Sequence, residues 1–404
     1  MYENLAVVAL FAFLFSLVSG RLSKTIISGP IVFTGFGLIA GPIGLGLLDI
    51  DLDQETFQNL VDITLCLVLF TDAASADLHV LRKRLEIPQR MLLIGLPLII
   101  ALGIAVGALV FDGLSFYELA LLATMLAATD AALGKGVVTN EAVPPRIRQG
   151  LNAESGLNDG LCVPVLLTFL ALASGEAHVE EIGNMLAIKL VVEEIGIGLV
   201  VGLGITGIGF WLMKTCHRLG WINEIWLQVT VAALAVACFA AAQSLHGSGY
   251  IAAFAGGMLF GSLDKTKTHK HIKASEGVAE TMALITWVAF GAGVVGQSFA
   301  FWSWEAMIYA ILSLTLVRML PIFVSLAGTG EPADSRLFMG WFGPRGLASI
   351  VFIMIVAEKQ LPGGDILQVT VVCTVVLSIL LHGLTANPLS NWLAMRAGRR
   401  RKDG

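Results

Sequence analysis

The sequence predicts an all-α polytopic membrane protein with about thirteen transmembrane helices, and three observations predict it. Of the 404 residues, 56% are hydrophobic and 14% are charged, whereas a water-soluble protein carries about 25% charged residues. Apolar runs near the roughly 20 residues that cross a bilayer recur from end to end. Most of the 25 Lys and Arg residues sit in every second loop, the asymmetry of a chain that threads a membrane repeatedly. The expected partner is membrane lipid, with no nucleic acid.

The first apolar run, 5–19, has no basic residue before it and RLSK after it, the reverse of a removable signal's charge order. It reads as a first span with its N-terminus outside. Spans follow at about 26–46, 57–76, 91–111, 117–138, 148–172, 183–213, 223–244, 249–263, 277–298, 303–327, 337–357 and 366–388, joined by short loops. The basic clusters RKR at 82–84 and RRRK at 399–402 fall inside; DIDLDQE at 49–55 and GEAHVEE at 175–181 make the outside acidic. The C-terminus is therefore inside, and the chain is read as one integral membrane domain. Its five cysteines are scattered without pairing, which argues against a disulfide framework or a metal centre. His246, His269 and His271 read as loop residues. HGSGYIAAFAGG at 246–257 reads as a tight turn before a small-residue packing face.

The polar residues at membrane depth are the informative ones, because such groups face a bundle interior or a wet cavity. The sixth span opens LNAESGLNDG, with Glu154, Ser155, Asn158 and Asp159 within an arc of about 140° on one helix face. Asp159 lies about 16 Å past the basic flank Arg148, close to mid-bilayer. The fifth span carries Thr129 and Asp130 before Gly134 and Gly136, where a break would expose carbonyls and helix ends to a cation. The same span's Lys135 reads as snorkelling from an inner helix end. A near copy of the Thr-Asp stretch puts Asp72 at the inner end of the third span, as an interfacial or supporting residue; Asp62 is a weaker candidate. Arg318, deep in the eleventh span, needs an acidic partner, and Glu154 is the expected one, leaving Asp159 to titrate. In the twelfth span Gly343, Pro344 and Gly346 interrupt the helix and bring Arg345 to the break.

Thr129-Asp130, the run Glu154 to Gly160, Arg318 and GPRGL at 343–347 together resemble the monovalent cation:proton antiporters, in particular the NhaP-like branch related to the sodium/proton exchangers of animals. The resemblance covers nearly the whole chain in span number and motif order. It implies two inverted six-helix repeats joined by a seventh helix, with unwound fifth and twelfth spans crossing near the ion. A dimerisation part (about 1–80 and 214–300) and a core (about 90–175 and 303–390) would move against each other, linked by 183–213, in a homodimer. Asp159 would carry the cation or the proton, with Ser155, Thr129 and Asp130 completing a Na+ site. Asn158, where charge-moving antiporters usually have aspartate, implies electroneutral exchange. Relatives often place proline after Thr-Asp, whereas this chain has Ala131.

The residues agree with that chemistry. Burial disfavours the charged carboxylate, so that proton and cation compete for it. The expectation is exchange of Na+ or Li+ for H+ without a cofactor, in a prokaryotic plasma membrane, serving pH homeostasis. The alternatives are a K+/H+ antiporter, a cation uniporter or channel, an intramembrane aspartyl hydrolase using Asp130 and Asp159, and a non-transporting sensor.

Overall fold

The structure, a computed structural model, describes residues 2–22, 25, 27–48, 54–75, 86–130, 135–138, 140, 143–174, 182–263 and 268–403. Among these, all regular structure is helical. The helices are α1 (Tyr2–Leu22), α2 (Gly29–Ala40), α3 (Gln54–Ser75), α4 (Glu86–Val110), α5 (Phe116–Met125), α6 (Lys135–Val138), α7 (Pro145–Ala173) and α8 (Ile182–Arg218). After them come α9 (Glu224–Ser244), α10 (Gly249–Leu263), α11 (Thr268–Ala289, continued by a π-helical turn Phe290–Val295), α12 (Trp304–Ser325), α13 (Ala333–Trp341), α14 (Leu347–Ala357) and α15 (Gly364–Asp403). Nine helices among the described residues are long and apolar enough to cross a membrane. The shorter apolar helices α2, α5, α10 and α14 fall inside further segments that the sequence marks as spans.

Three expectations change. His269 and His271 lie on the first turns of α11, not in a loop, because the helix continues past the apolar segment into its polar end. The last helix likewise runs through Pro388 and the basic tail to Asp403. In the fifth span α5 stops at Met125, well before the glycines, and Gly136 lies within the short α6. Ala131 and Gly134 lie outside the described residues, as do the RKR cluster at 82–84 and the acidic loop 175–181.

Contacts divide the chain into two compact units: Met1–Gln58, Glu86–Ser155 and Leu284–Gly404 form one, Asn59–Leu85 and Gly156–Ala283 the other. In the second unit, Cys66, Phe70, Ala74, Val231, Cys238 and Phe260 form the centre of an apolar cluster. Gly257 and Gly261 let α10 lie against α3: an added Cβ would stand 2.3 Å from the carbonyl oxygens of Phe70 and Ala74 respectively. Asp62 accepts a 2.6 Å hydrogen bond from Tyr250.

The first unit is organised by the starts and stops of its helices. Ser115 and Glu118 close a capping box at the head of α5, Ser115 N–H donating to Glu118 Oε2 at 2.8 Å and Glu118 N–H to Ser115 Oγ at 3.3 Å. The buried Glu118 also accepts Gly363 N–H at 2.7 Å, which ties α5 to the start of α15. In α12 a π-helical turn, Ser313–Val317, directly precedes Arg318. Pro321, one turn further on, has no N–H to offer the Val317 carbonyl.

Candidate functional site

Helix α5 ends at Met125, and Leu126–Asp130 is not helical. α13 ends at Trp341, and the chain from Phe342 to Gly346 is not helical before α14 starts at Leu347. The two breaks meet. Asp130 N–H donates to the Pro344 carbonyl at 2.8 Å, and Leu347 N–H donates to Asp130 Oδ2 at 2.9 Å. Arg345 Nη1 donates to the carbonyls of Ala127 at 2.7 Å and Ala128 at 3.0 Å. Each half-helix end thus receives the opposite charge: a carboxylate at the positive start of α14, a guanidinium at the negative end of α5. Ser349 Oγ, donating to the Met125 carbonyl at 2.8 Å, fastens the same junction.

Two glycines permit this approach. A Cβ at Gly346 would stand 1.9 Å from Asp130 Oδ2, and one at Gly343 2.3 Å from Arg318 Nε. Arg318 reaches past Gly343 to Glu154 and binds it with both nitrogens, Nη1 to Oε1 at 2.7 Å and Nη2 to Oε2 at 3.1 Å. Their side chains are 1% and 2% exposed, so the charges neutralise each other away from water.

Beside Glu154 on α7, the Ser155 hydroxyl donates to the Thr129 carbonyl at 2.8 Å, joining the sixth span to the broken fifth. Thr129, Asp130, Ser155, Phe342 and Pro344 line a cavity of about 10 Å³, with Val137, Val138 and Leu151 completing it. Hydroxyl, carboxylate and carbonyl oxygens at that scale are the donor set of a hard monovalent cation or a single water.

Asn158 and Asp159 lie further along α7, in the second unit, and both are buried. Cys162 Sγ lies 3.2 Å from Asn158 Oδ1. Asp72 is half-buried near the end of α3, its carbonyl oxygen 3.5 Å from where a Cβ of Gly156 would stand. The structure thus assembles Thr129, Asp130, Glu154, Ser155, Arg318, Gly343, Arg345 and Gly346 in one unit, and Asp72, Asn158 and Asp159 in the other.

Among the buried groups that escape the sequence reading are Glu118 and His382. Glu118 had a visible signal, the S-x-x-E spacing of Ser115 and Glu118. His382 stands in an apolar run, which by itself marks an ionisable residue worth explaining. What it contacts, the Trp341 carbonyl and Ser378, is not visible locally.

Comparison with known proteins gives findings of three kinds. The family model described as "Sodium/hydrogen exchanger, transmembrane" matches residues 7–392. The chain is 22% identical over 394 residues to the K(+)/H(+) antiporter NhaP of Alkalimonas amylolytica, covering 97% of this chain and 66% of that protein. It is also 26% identical over 380 residues to a Na(+)/H(+) antiporter of Saccharomyces cerevisiae, covering 88% of this chain and 38% of that one. The chain thus spans just under two thirds of the length of its NhaP relative. The structure of the sodium proton antiporter MjNhaP1 from Methanocaldococcus jannaschii matches with a TM-score of 0.78 at 21% identity, over 98% of both chains, which shows the fold.

Proposed function

This chain belongs to the family of transmembrane sodium/hydrogen exchangers, and from that premise we propose that it is a secondary active transporter exchanging a monovalent cation for H+ by alternating access. The observation that carries the reading is the crossing itself. Broken helix ends, neutralised by Asp130 and Arg345, stand at a cavity of about 10 Å³ that Ser155 and Thr129 also line. A transporter needs irregular backbone at membrane depth to offer oxygens to an ion, and such backbone is tolerated where it lines a cavity.

In this reading Asp159 carries either the proton or the cation, and Ser155, Thr129 and Asp130 contribute oxygens. Glu154 and Arg318 hold the sixth span against the eleventh. Asp72 supports the sixth span at Gly156. The core, about 90–175 and 303–390, moves against a dimerisation part, about 1–80 and 214–300, linked by 183–213. The working unit is a homodimer in a prokaryotic plasma membrane, with about thirteen spans, the N-terminus outside and the C-terminus in the cytoplasm. We take Na+ or Li+ as the cation and pH homeostasis as the task. K+ is the second reading, favoured by the name of the NhaP relative.

The test uses proteoliposomes holding a pH-sensitive dye and an imposed pH gradient, with Na+, Li+ or K+ added in turn. One cation is expected to collapse the gradient in the wild type and to fail with Asp159→Asn, which stays folded. No response to any of the three between about pH 6 and 9 would overturn antiport, since a carboxylate carrier must titrate within reach of that range.

A further inference from the structure

An unbroken helix through the twelfth span would bond Arg345 N–H to the Trp341 carbonyl, four residues back. Here both groups turn to α15 instead. Arg345 N–H donates to Ser378 Oγ at 2.7 Å, and the Trp341 carbonyl lies 2.9 Å from His382 Nε2. Ser378 and His382 are themselves one turn apart on α15, with Oγ and Nδ1 separated by 3.1 Å. Nδ1 also lies 3.0 Å from the Ser378 carbonyl, so both ring nitrogens face an acceptor. With the neutral ring's hydrogen assigned to Nε2, toward the Trp341 carbonyl, Nδ1 accepts from the Ser378 hydroxyl. The hydrogen bonds then run one way, from Arg345 N–H through Ser378 O–H and the imidazole to the Trp341 carbonyl. Ser378 is fully buried and His382 is 1% exposed, so a missing link would leave a polar group dry. The same face of α15 carries Thr385, whose Oγ1 accepts from Trp341 Nε1 at 2.9 Å.

We propose that Ser378 and His382 are a positioning pair, a hydroxyl–imidazole bridge inserted into a helical hydrogen bond of the twelfth span, which keeps that span broken in the shape its cation needs. The bridge spans Phe342 to Pro344, and two of those residues line the cavity. It also sets the backbone of Arg345, whose guanidinium caps the fifth span. The pair holds the two ends of the loop 342–344 and acts through it. This role rests on the exchange reading, but the bridge itself does not.

Two readouts on the same purified proteins separate the two. In proteoliposomes, His382→Leu and Ser378→Ala are expected to raise the cation KM about tenfold, the equivalent of one lost buried hydrogen bond. The maximal rate is expected to stay within about twofold, since the carrier carboxylate is untouched. His382→Gln, whose amide offers both an acceptor oxygen and a donor nitrogen, restores most of the KM. In hydrogen exchange, the amides from Phe342 to Leu347 are expected to open about tenfold faster in the Leu and Ala variants, with the rest of the chain protected as in the wild type. Unchanged exchange in that segment together with unchanged KM overturns the proposal. Protection lost throughout the chain also overturns it, since the pair would then only pack. A wild type silent to every cation, with the segment opening as described, leaves the bridge standing and removes the transport reading instead.

Discussion

Arg318 and Glu154 meet through two hydrogen bonds while neither side chain exceeds 2% exposure. A pair of this kind gains little over apolar residues of the same size, yet removing one member leaves a buried charge and costs about 3–5 kcal/mol. Arg318→Met is therefore expected to lower thermal stability in detergent by that amount. The double variant Arg318→Met/Glu154→Leu is expected to regain most of it. Equal losses in the single and double variants would mean that the guanidinium holds something besides Glu154. At this scale the sequence shows the need and points to the partner. An arginine at membrane depth demands a carboxylate, and Glu154 is the expected one; what the sequence lacks is the bidentate geometry, which only the folded chain makes across 164 residues. His382 is the contrasting case: its apolar setting is legible, whereas its acceptor, a carbonyl 41 residues back, is not.

Among elements, the breaks in the fifth and twelfth spans differ in how openly they are written. Gly343-Pro344-Arg345-Gly346 announces an interruption, because proline lacks the donor a helix needs and glycine resists helical order. The fifth span has no such signal at Leu126–Asp130, where its helix ends. The break there is stabilised from outside, by Arg345 on the carbonyls of Ala127 and Ala128 and by Pro344 and Leu347 on Asp130, all more than 200 residues away. Gly346→Ala tests that crossing. Its Cβ would stand 1.9 Å from an Asp130 oxygen that Leu347 N–H already holds, so the two breaks must part. The expected cost is about 1–3 kcal/mol, with exchange reduced at least about tenfold. Gly204→Ala, in the middle of α8 with nothing within 4 Å, is the control and is expected to leave both unchanged or slightly improve stability. Matching thermal midpoints and exchange rates for Gly346→Ala and the control would sink the assignment of the crossing.

For the whole molecule the decisive question is how much charge crosses the membrane per cycle, and it falls to one position on α7. Asn158 and Asp159 are both buried; in the proposed reading the neutral amide carries no load, and Asp159 carries a single proton or a single monovalent cation. If Asp159 alone is exchanged between those two loads, the carrier has the same charge in both directions, and the cycle moves no net charge. A potential of about 100 mV is worth about 2.3 kcal/mol per elementary charge, roughly a fiftyfold shift in the ratio at which exchange stops. That is far outside the error of a dye measurement. The wild type is therefore expected to reach the same final pH gradient with or without such a potential, imposed by an ion other than the transported one. Asn158→Asp adds a second carboxylate one residue from the carrier; if it binds a second proton, the end point acquires a dependence on potential that the wild type lacks. A wild-type end point that follows the potential would mean that more than one charge is carried, and would move the second site to another carboxylate, of which the half-buried Asp72 on α3 is the first to test.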